Sequence, residues 1–303
     1  MAEFDVVTGA FGYTGRHITR RLLNAGRRVR TIIGHPNRGN PFGEQVEIAP
    51  LDFRNPASLA ESLRGASVFY NTYWVRFSHG RTTFDKAVSN SKLLIQAARE
   101  AGVRRIVHLS IANPSRDSRL GYYSGKAQVE EAILGSGLSY AILRPTVIFG
   151  SEDILINNIA WFVRHFPLFA IPGSGQYEVQ PISVEDIAEL AVNAAGDGKS
   201  VVLDAVGPEA YTFEDLVRQI AHGVGSKARF IHVSPGVAFW MLRLTGPFVG
   251  DVILTREEIA GLMANLLVSK GPATGRARFS EWLAQNASIL GTKYASELER
   301  HYR

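Results

Sequence analysis

Phe4-Asp5-Val6-Val7-Thr8-Gly9-Ala10-Phe11-Gly12-Tyr13-Thr14-Gly15-Arg16 decides how the rest of this 303-residue chain is read. A short apolar strand runs into glycines three residues apart, and a helical pattern over about residues 13–25 follows. Gly9 permits a tight turn out of the strand. Gly12 lets the backbone approach a ligand, and Gly15 lets the helix pack close to the strand. Unpaired amides at the positive end of that helix would seat the pyrophosphate of a dinucleotide. A glycine motif is weak evidence alone; here its place between strand and helix supports it. The residues expected to meet the cofactor are Thr8, Gly9, Ala10, Phe11, Gly12, Tyr13, Thr14, Gly15 and Arg16.

Outward from this stretch, strands and helices alternate. Strands are expected at 29–33, 46–50, 67–71, 105–109 and 140–143, and helices at 56–63, 84–101 and 122–134. Such alternation implies an α/β fold with a doubly wound parallel sheet covered on both faces. After Gly150 the rhythm changes: a helix at 157–165, a turn at Pro172-Gly173-Ser174-Gly175, a helix at 184–195 and a strand at 201–206. Beyond Gly207 the pattern is mostly helical, with a strand at 229–233. The expected division is a dinucleotide-binding Rossmann domain over 1–150, to which 176–206 returns. A smaller, mostly helical lobe over 151–175 and 207–303 would cover the carboxyl ends of the strands, where such sheets bind ligands.

Composition narrows the function. The chain has no cysteine, which excludes disulfides, thiolate metal sites and cysteine nucleophiles. There is no Gly-x-Ser-x-Gly elbow and no His-Glu-x-x-His, so neither serine hydrolysis nor a metal is expected. The formal charge of +5 is scattered, which argues against a nucleic-acid partner. Met1-Ala2-Glu3-Phe4-Asp5 carries two acids and no apolar run, unlike a secretory signal, and no stretch approaches the ~20 apolar residues that span a bilayer. A cytoplasmic chain is the expectation. The apolar stretch Val237-Ala238-Phe239-Trp240-Met241-Leu242 reads first as helix packing, with peripheral membrane contact or a hydrophobic substrate pocket as rivals.

From Val6 to Gly43 there is no Asp or Glu to hold the ribose hydroxyls of NAD. Seven arginines lie there instead. Arg16 and Arg38, with His35, stand where a 2′-phosphate would lie, and a charge-assisted contact is worth roughly 1.5–3 kcal/mol. NADP(H) is therefore the expected cofactor, with NAD(H) still open. Arg20, Arg21, Arg27 and Arg28 read as a solvated helix face. Asp52, followed by Phe53, ends a strand where an adenine amino group could be bound, with capping of the next helix as the rival role for that neighbourhood. Asn71, at another strand end, joins the cofactor set.

Tyr122 and Lys126 are four apart in a helical pattern and project from one face. An ammonium beside a phenol favours the phenolate, so the tyrosine can pass a proton while hydride moves. Lys126 would also hold the nicotinamide ribose, and Ser110, at the end of the preceding strand, would orient the substrate oxygen.

Together these residues resemble the short-chain dehydrogenase/reductase superfamily, in its extended and atypical branches. Those include NmrA-like proteins, epimerase/dehydratase-like proteins and the accessory Rossmann subunit of respiratory complex I. Four stretches carry the likeness: the loop Thr8–Gly15, Tyr122-Tyr123-Ser124-Gly125-Lys126-Ala127-Gln128-Val129-Glu130, Leu143-Arg144-Pro145-Thr146-Val147-Ile148-Phe149-Gly150 and Gln180-Pro181-Ile182-Ser183-Val184-Glu185-Asp186-Ile187-Ala188. The resemblance implies Ser110, Tyr122 and Lys126 as catalytic residues, with Pro145 and Val147 beside the nicotinamide. Two departures stand out. Gly34 replaces an arginine common at the end of the second strand, and Gly125 stands where serine is common.

Two functions follow as expectations. One is an NADP(H)-dependent oxidoreductase or epimerase-type enzyme acting on a carbonyl or alcohol. The other is a non-catalytic NAD(P)-binding module that regulates or assembles. The partner would be a small molecule, either polar or a hydrophobic quinone or isoprenoid, with the chain a monomer or a homodimer. Specificity would sit at Tyr73–Arg81, at Ser151–Phe169 and in the terminal lobe.

Overall fold

β1 (Phe4–Thr8), β2 (Arg28–Ile33), β3 (Val46–Pro50), β4 (Ala66–Asn71), β5 (Arg105–Leu109), β6 (Ser139–Pro145) and β7 (Val201–Ala205) form one parallel sheet in the order β7-β6-β5-β4-β1-β2-β3. The computed structural model describes residues 3–34 and 39–301. The sheet belongs to the first of two units, Met1–Pro145 with Val184–Ala205; the second is Thr146–Ser183 with Val206–Arg303.

In the first unit the chain winds from β1 to β3 in one direction and from β4 to β7 in the other. The order reverses between β1 and β4, and that switch point is where open α/β sheets bind ligands. Helices α1 (Tyr13–Asn24), α2 (Pro56–Leu63), α3 (Phe84–Glu100), α4 (Gly121–Leu134) and α5 (Val184–Gly196) cover the sheet. One core layer joins Val6, Ile32, Phe69, Ile106 and Ile142 from the strands to Leu59, Leu63, Leu94, Val129 and Ile133 from α2, α3 and α4. On the other side α1 packs against α5, with His17 on Glu185 at 2.7 Å and Arg21 on Glu189 at 2.7 Å. β5 is buried along its whole length, as a strand inside a covered parallel sheet must be. This is a doubly wound Rossmann-like α/β fold.

Charged residues inside this unit are clamped. Asp5 is buried on β1 and accepts two hydrogen bonds from Arg27 at 2.8 and 2.9 Å. Arg27 is therefore an anchor for the first strand and not part of a solvated face. Arg105 is buried on β5; its guanidinium donates to the carbonyls of Ala194 and Lys199 and to Ser139 Oγ.

The second unit is smaller and mostly helical. Its core gathers Phe149, Ile156, Ile171, Tyr177, Phe213 and Phe279, among others. Strand Leu168–Pro172 pairs in parallel with Arg229–Val233. The stretch 237–242 lies inside the helix Pro235–Val249.

Candidate cofactor and active site

Gly9 leaves β1 at φ +64°, a left-handed conformation that glycine adopts without strain. Its carbonyl accepts from the Gly12 amide at 2.8 Å, closing the turn. A Cβ on Gly15 would stand 2.2 Å from the Gly9 oxygen, closer than any side chain can come, so the crossing of helix and loop admits only glycine. Gly12 caps α1 with extended backbone and no side-chain hydrogen bond, and the first turn holds no acid. The amides at this helix start face no competing carboxylate of their own turn, which suits a bound anion.

The floor of this loop is tied to β4. Thr8 Oγ1 accepts from the Thr72 amide at 2.7 Å, and Thr72 Oγ1 donates to the Thr8 carbonyl at 2.6 Å. Asn71 is fully buried beside them; its Oδ1 accepts from the Tyr73 amide at 3.1 Å, and its Nδ2 meets no acceptor among the described residues. A buried amide donor left over at the switch point is what a polar ligand would satisfy. Together with the closed glycine cradle, it fits a dinucleotide.

The remaining expected contacts fall as follows. The Ala10 amide donates to Thr31 Oγ1 at 3.3 Å. Phe11 is buried, its ring 6.5 Å from that of Phe42, and its carbonyl accepts from Arg16 Nη2 at 3.1 Å. Tyr13 meets His17 edge-on at 5.9 Å, and Thr14 is half-buried in the first turn. Arg16 is half-buried at the loop it was expected to serve. His35 and Arg38 lie outside the described residues. Asp52 accepts from the Arg54 amide at 3.0 Å and from Arg54 Nε at 3.2 Å, and these contacts hold its carboxyl below the usual range. The cap of α2 is Asn55, which accepts from the Ser58 amide at 3.2 Å. Phe53 packs on Tyr73 at 5.1 Å. Pro145 ends β6, its carbonyl accepting from the Ala112 amide at 2.8 Å. Val147 belongs to the second unit, in its apolar core.

Ser110, Tyr122 and Lys126 are set by β5 and α4. Lys126 is 2% exposed, and its Nζ donates to the Leu109 carbonyl at 2.7 Å, one residue before Ser110. The ammonium also lies 4.5 Å from the centre of the Trp74 ring. Burial lowers its pKa to about 7, partly opposed by the charge of Glu130. His108, on the same strand, is held well below its ordinary pKa by burial and then by the Lys126 charge. Tyr122 packs edge-on against Trp74 at 5.9 Å, Phe84 at 5.8 Å and Tyr123 at 5.7 Å.

Two features here escaped the sequence reading. Ser110 Oγ donates to Glu130 Oε1 at 2.5 Å, and Arg144 grips the same carboxylate through Nε at 3.0 Å and Nη2 at 2.5 Å. Glu130 follows Lys126 by one turn, and Arg144 is a charge in an apolar strand; both were visible signals. The second is Trp74. A Cβ on Gly125 would sit 3.1 Å from its indole, so the absent side chain makes room for the ring between Tyr122 and Lys126. Among the described residues no group of three or more His, Cys, Asp or Glu could hold a metal ion, and no helix is long and apolar enough to cross a membrane.

A family described as NAD(P)H-binding matches residues 9–198. The chain is 25% identical to NADH dehydrogenase [ubiquinone] 1 alpha subcomplex subunit 9, mitochondrial, of Arabidopsis thaliana, over 87% of this chain and 70% of that protein. It is 28% identical to (4-alkanoyl-5-oxo-2,5-dihydrofuran-3-yl)methyl phosphate reductase of Streptomyces griseus, over 94% of this chain and 98% of that one. The crystal structure of Citrobacter sp. triphenylmethane reductase complexed with NADP(H) matches the fold with a TM-score of 0.76 at 18% identity, over 94% of this chain and 99% of that chain.

Proposed function

The chain belongs to the NAD(P)H-binding family, and on that premise we propose an NADP(H)-dependent oxidoreductase or epimerase-type enzyme acting on a carbonyl or alcohol in the cytoplasm. The observation that carries this reading is Lys126, buried one turn after Tyr122 with its Nζ on the carbonyl that precedes Ser110. The likeness to a reductase along nearly its whole length supports it.

The cofactor supplies or takes the hydride. In this reading the amides of the Gly9–Gly15 loop hold its pyrophosphate, Arg16 meets the 2′-phosphate, and Asp52 with Phe53 meets the adenine. Asn71 offers its spare donor at the switch point. Tyr122 gives a proton to the substrate oxygen in reduction and takes it back in oxidation. Ser110 steadies that oxygen, Lys126 holds the ribose, and Pro145 and Val147 flank the nicotinamide.

Substituting Tyr122→Phe tests the chemistry. Turnover should fall by ~10²–10⁴ while NADPH affinity, measured calorimetrically, stays the same. Cofactor preference has its own test: NADPH should bind about tenfold or more tightly than NADH, and Arg16→Ala should narrow that ratio. A second reading has one observation in its favour. The Ser110 hydroxyl is already donated to the Glu130 carboxylate. In that reading the chain is a non-catalytic NAD(P)-binding module, as its likeness to a complex I subunit would suit, and Tyr122→Phe would leave its function intact.

A further inference from the structure

The helix Pro235–Val249 presents an apolar stripe to solvent. Val237 is 49% exposed, Trp240 54%, Met241 39% and Leu244 67%. Their spacing of i, i+3, i+4 and i+7 puts all four on one face. Ala238, on another face, is buried at 2%. The helix is therefore seated through its far side, and its most hydrophobic face is the one left open. Ser234 caps it by accepting from the Val237 amide at 3.3 Å, and Gly250 ends it at φ +63°.

The charge along the segment that carries this stripe has one sign. From Leu216 to Gly250 the sequence holds no Asp or Glu, but it holds Arg218, Lys227, Arg229 and Arg243. Arg218 pairs with Glu214, whereas Lys227, Arg229 and Arg243 are exposed. Arg243 lies over the Trp240 ring at 5.6 Å, and exposed Arg256 lies over Phe239 at 4.6 Å. Cations thus flank the aromatic side chains at the edge of the stripe. None of the next three acids along the chain, Asp251, Glu257 and Glu258, is exposed. Asp251 is buried, accepting from the Glu297 and Leu298 amides, and Glu258 closes the cap at Thr255.

We propose that the helix Pro235–Val249 docks on a lipid bilayer carrying anionic headgroups, with Val237, Trp240, Met241 and Leu244 sunk into the interface. Fifteen residues rise about 22 Å as a helix, too short to span the hydrocarbon core, so the helix lies in the plane of the surface. Tryptophan favours the headgroup level, and arginine keeps its charge in water while its stem lies along apolar surface. A protein partner for an apolar stripe would not require an acid-free surround. An anionic bilayer rewards it, because each basic residue near the surface adds to binding.

Sedimentation of the 303-residue chain with vesicles tests this. The probes are pure phosphatidylcholine and phosphatidylcholine with about one third phosphatidylglycerol. Binding should be at least tenfold stronger to the anionic vesicles and should weaken at high salt. Trp240 fluorescence should shift to the blue on binding, and Trp240→Phe should remove that shift. Leu244→Asp should weaken binding at least tenfold with no loss of thermal stability, since the side chain is exposed. Arg243→Glu should abolish the preference for anionic vesicles. The proposal is overturned if the wild-type chain sediments with neither vesicle. It is equally overturned if the chain is a dimer in solution that Leu244→Asp dissociates, because the stripe would then belong to a second copy.

Discussion

The Gly9–Gly15 loop and the floor around Ser110 lie in the same unit, at the ends of β1 and β5 with β4 between them, and are built by opposite means. The loop is backbone. Its specification is what it lacks: no Cβ at position 15, no acid in the first helical turn, no side-chain cap at Gly12. The floor is built mainly from side chains. Ser110, Glu130 and Arg144 form one hydrogen-bonded line, and Lys126 and Trp74 form a cation over a ring. A cradle that must accept an anion is best left open, because any built-in carboxylate would compete. A floor that buries charge has to satisfy every partner internally.

Glu130→Ala should produce the largest loss, because it strips two charge-assisted hydrogen bonds from a half-buried guanidinium. Removing one member of such a pair costs about 3–5 kcal/mol, which urea denaturation would read directly. Glu130→Gln keeps an acceptor and should lose less. If both variants were as stable as wild type, the floor would not be held by charge at all.

Gly15→Ala attacks the other half. With a Cβ aimed 2.2 Å from a carbonyl oxygen, the helix start must move, and NADPH affinity should fall by about a hundredfold or more, roughly 3 kcal/mol. Unchanged affinity in the calorimeter would mean the loop is not the cradle.

The Lys126 ammonium supplies a smaller, pH-dependent contrast. Its folded pKa is about 7 against an ordinary 10.5, so across that interval the unfolded chain holds more protons than the folded one. Stability therefore rises with pH from about 7 towards 10.5, and the cost of burying the charge is fully present below 7. Between pH 7 and about 9 the gain is at most about 3 kcal/mol, and Lys126→Met should flatten it. The loop contributes no such slope, since its glycines do not titrate.

Gly125→Ala should change least. A methyl there gains about 1 kcal/mol of helix propensity and crowds Trp74 and Val88 at 3.1 and 3.2 Å, so net stability should move by about 1 kcal/mol or less. The Trp74 emission should shift nonetheless. An unmoved spectrum would show that the indole does not depend on the missing side chain.

This contrast also explains what could be read in advance. The loop's constraints are local and fall on the backbone, and glycine records them in the sequence. Apolar strands of a covered parallel sheet announce themselves too, and β2, β3, β4 and β5 lie within a residue of where the pattern puts them. Trp74 was not legible, because it reaches α4 from a loop some fifty residues earlier, and only the winding of β4 and β5 brings the two together. Arg27 was read as solvated for a similar reason: nothing near position 27 reveals a buried acid on β1. The Ser110–Glu130–Arg144 line joins β5, α4 and β6, and its pairing is a property of the topology.

The buried Arg105 has a consequence for the order of folding. Two of its three acceptors, the carbonyls of Ala194 and Lys199, arrive only after the chain has left the first unit at Pro145 and come back. During synthesis, residues 3–145 emerge with this guanidinium facing a sheet edge that still lacks β7. The nascent sheet therefore waits, its last strand and its buried cation completed together, until the ribosome has delivered Ala205.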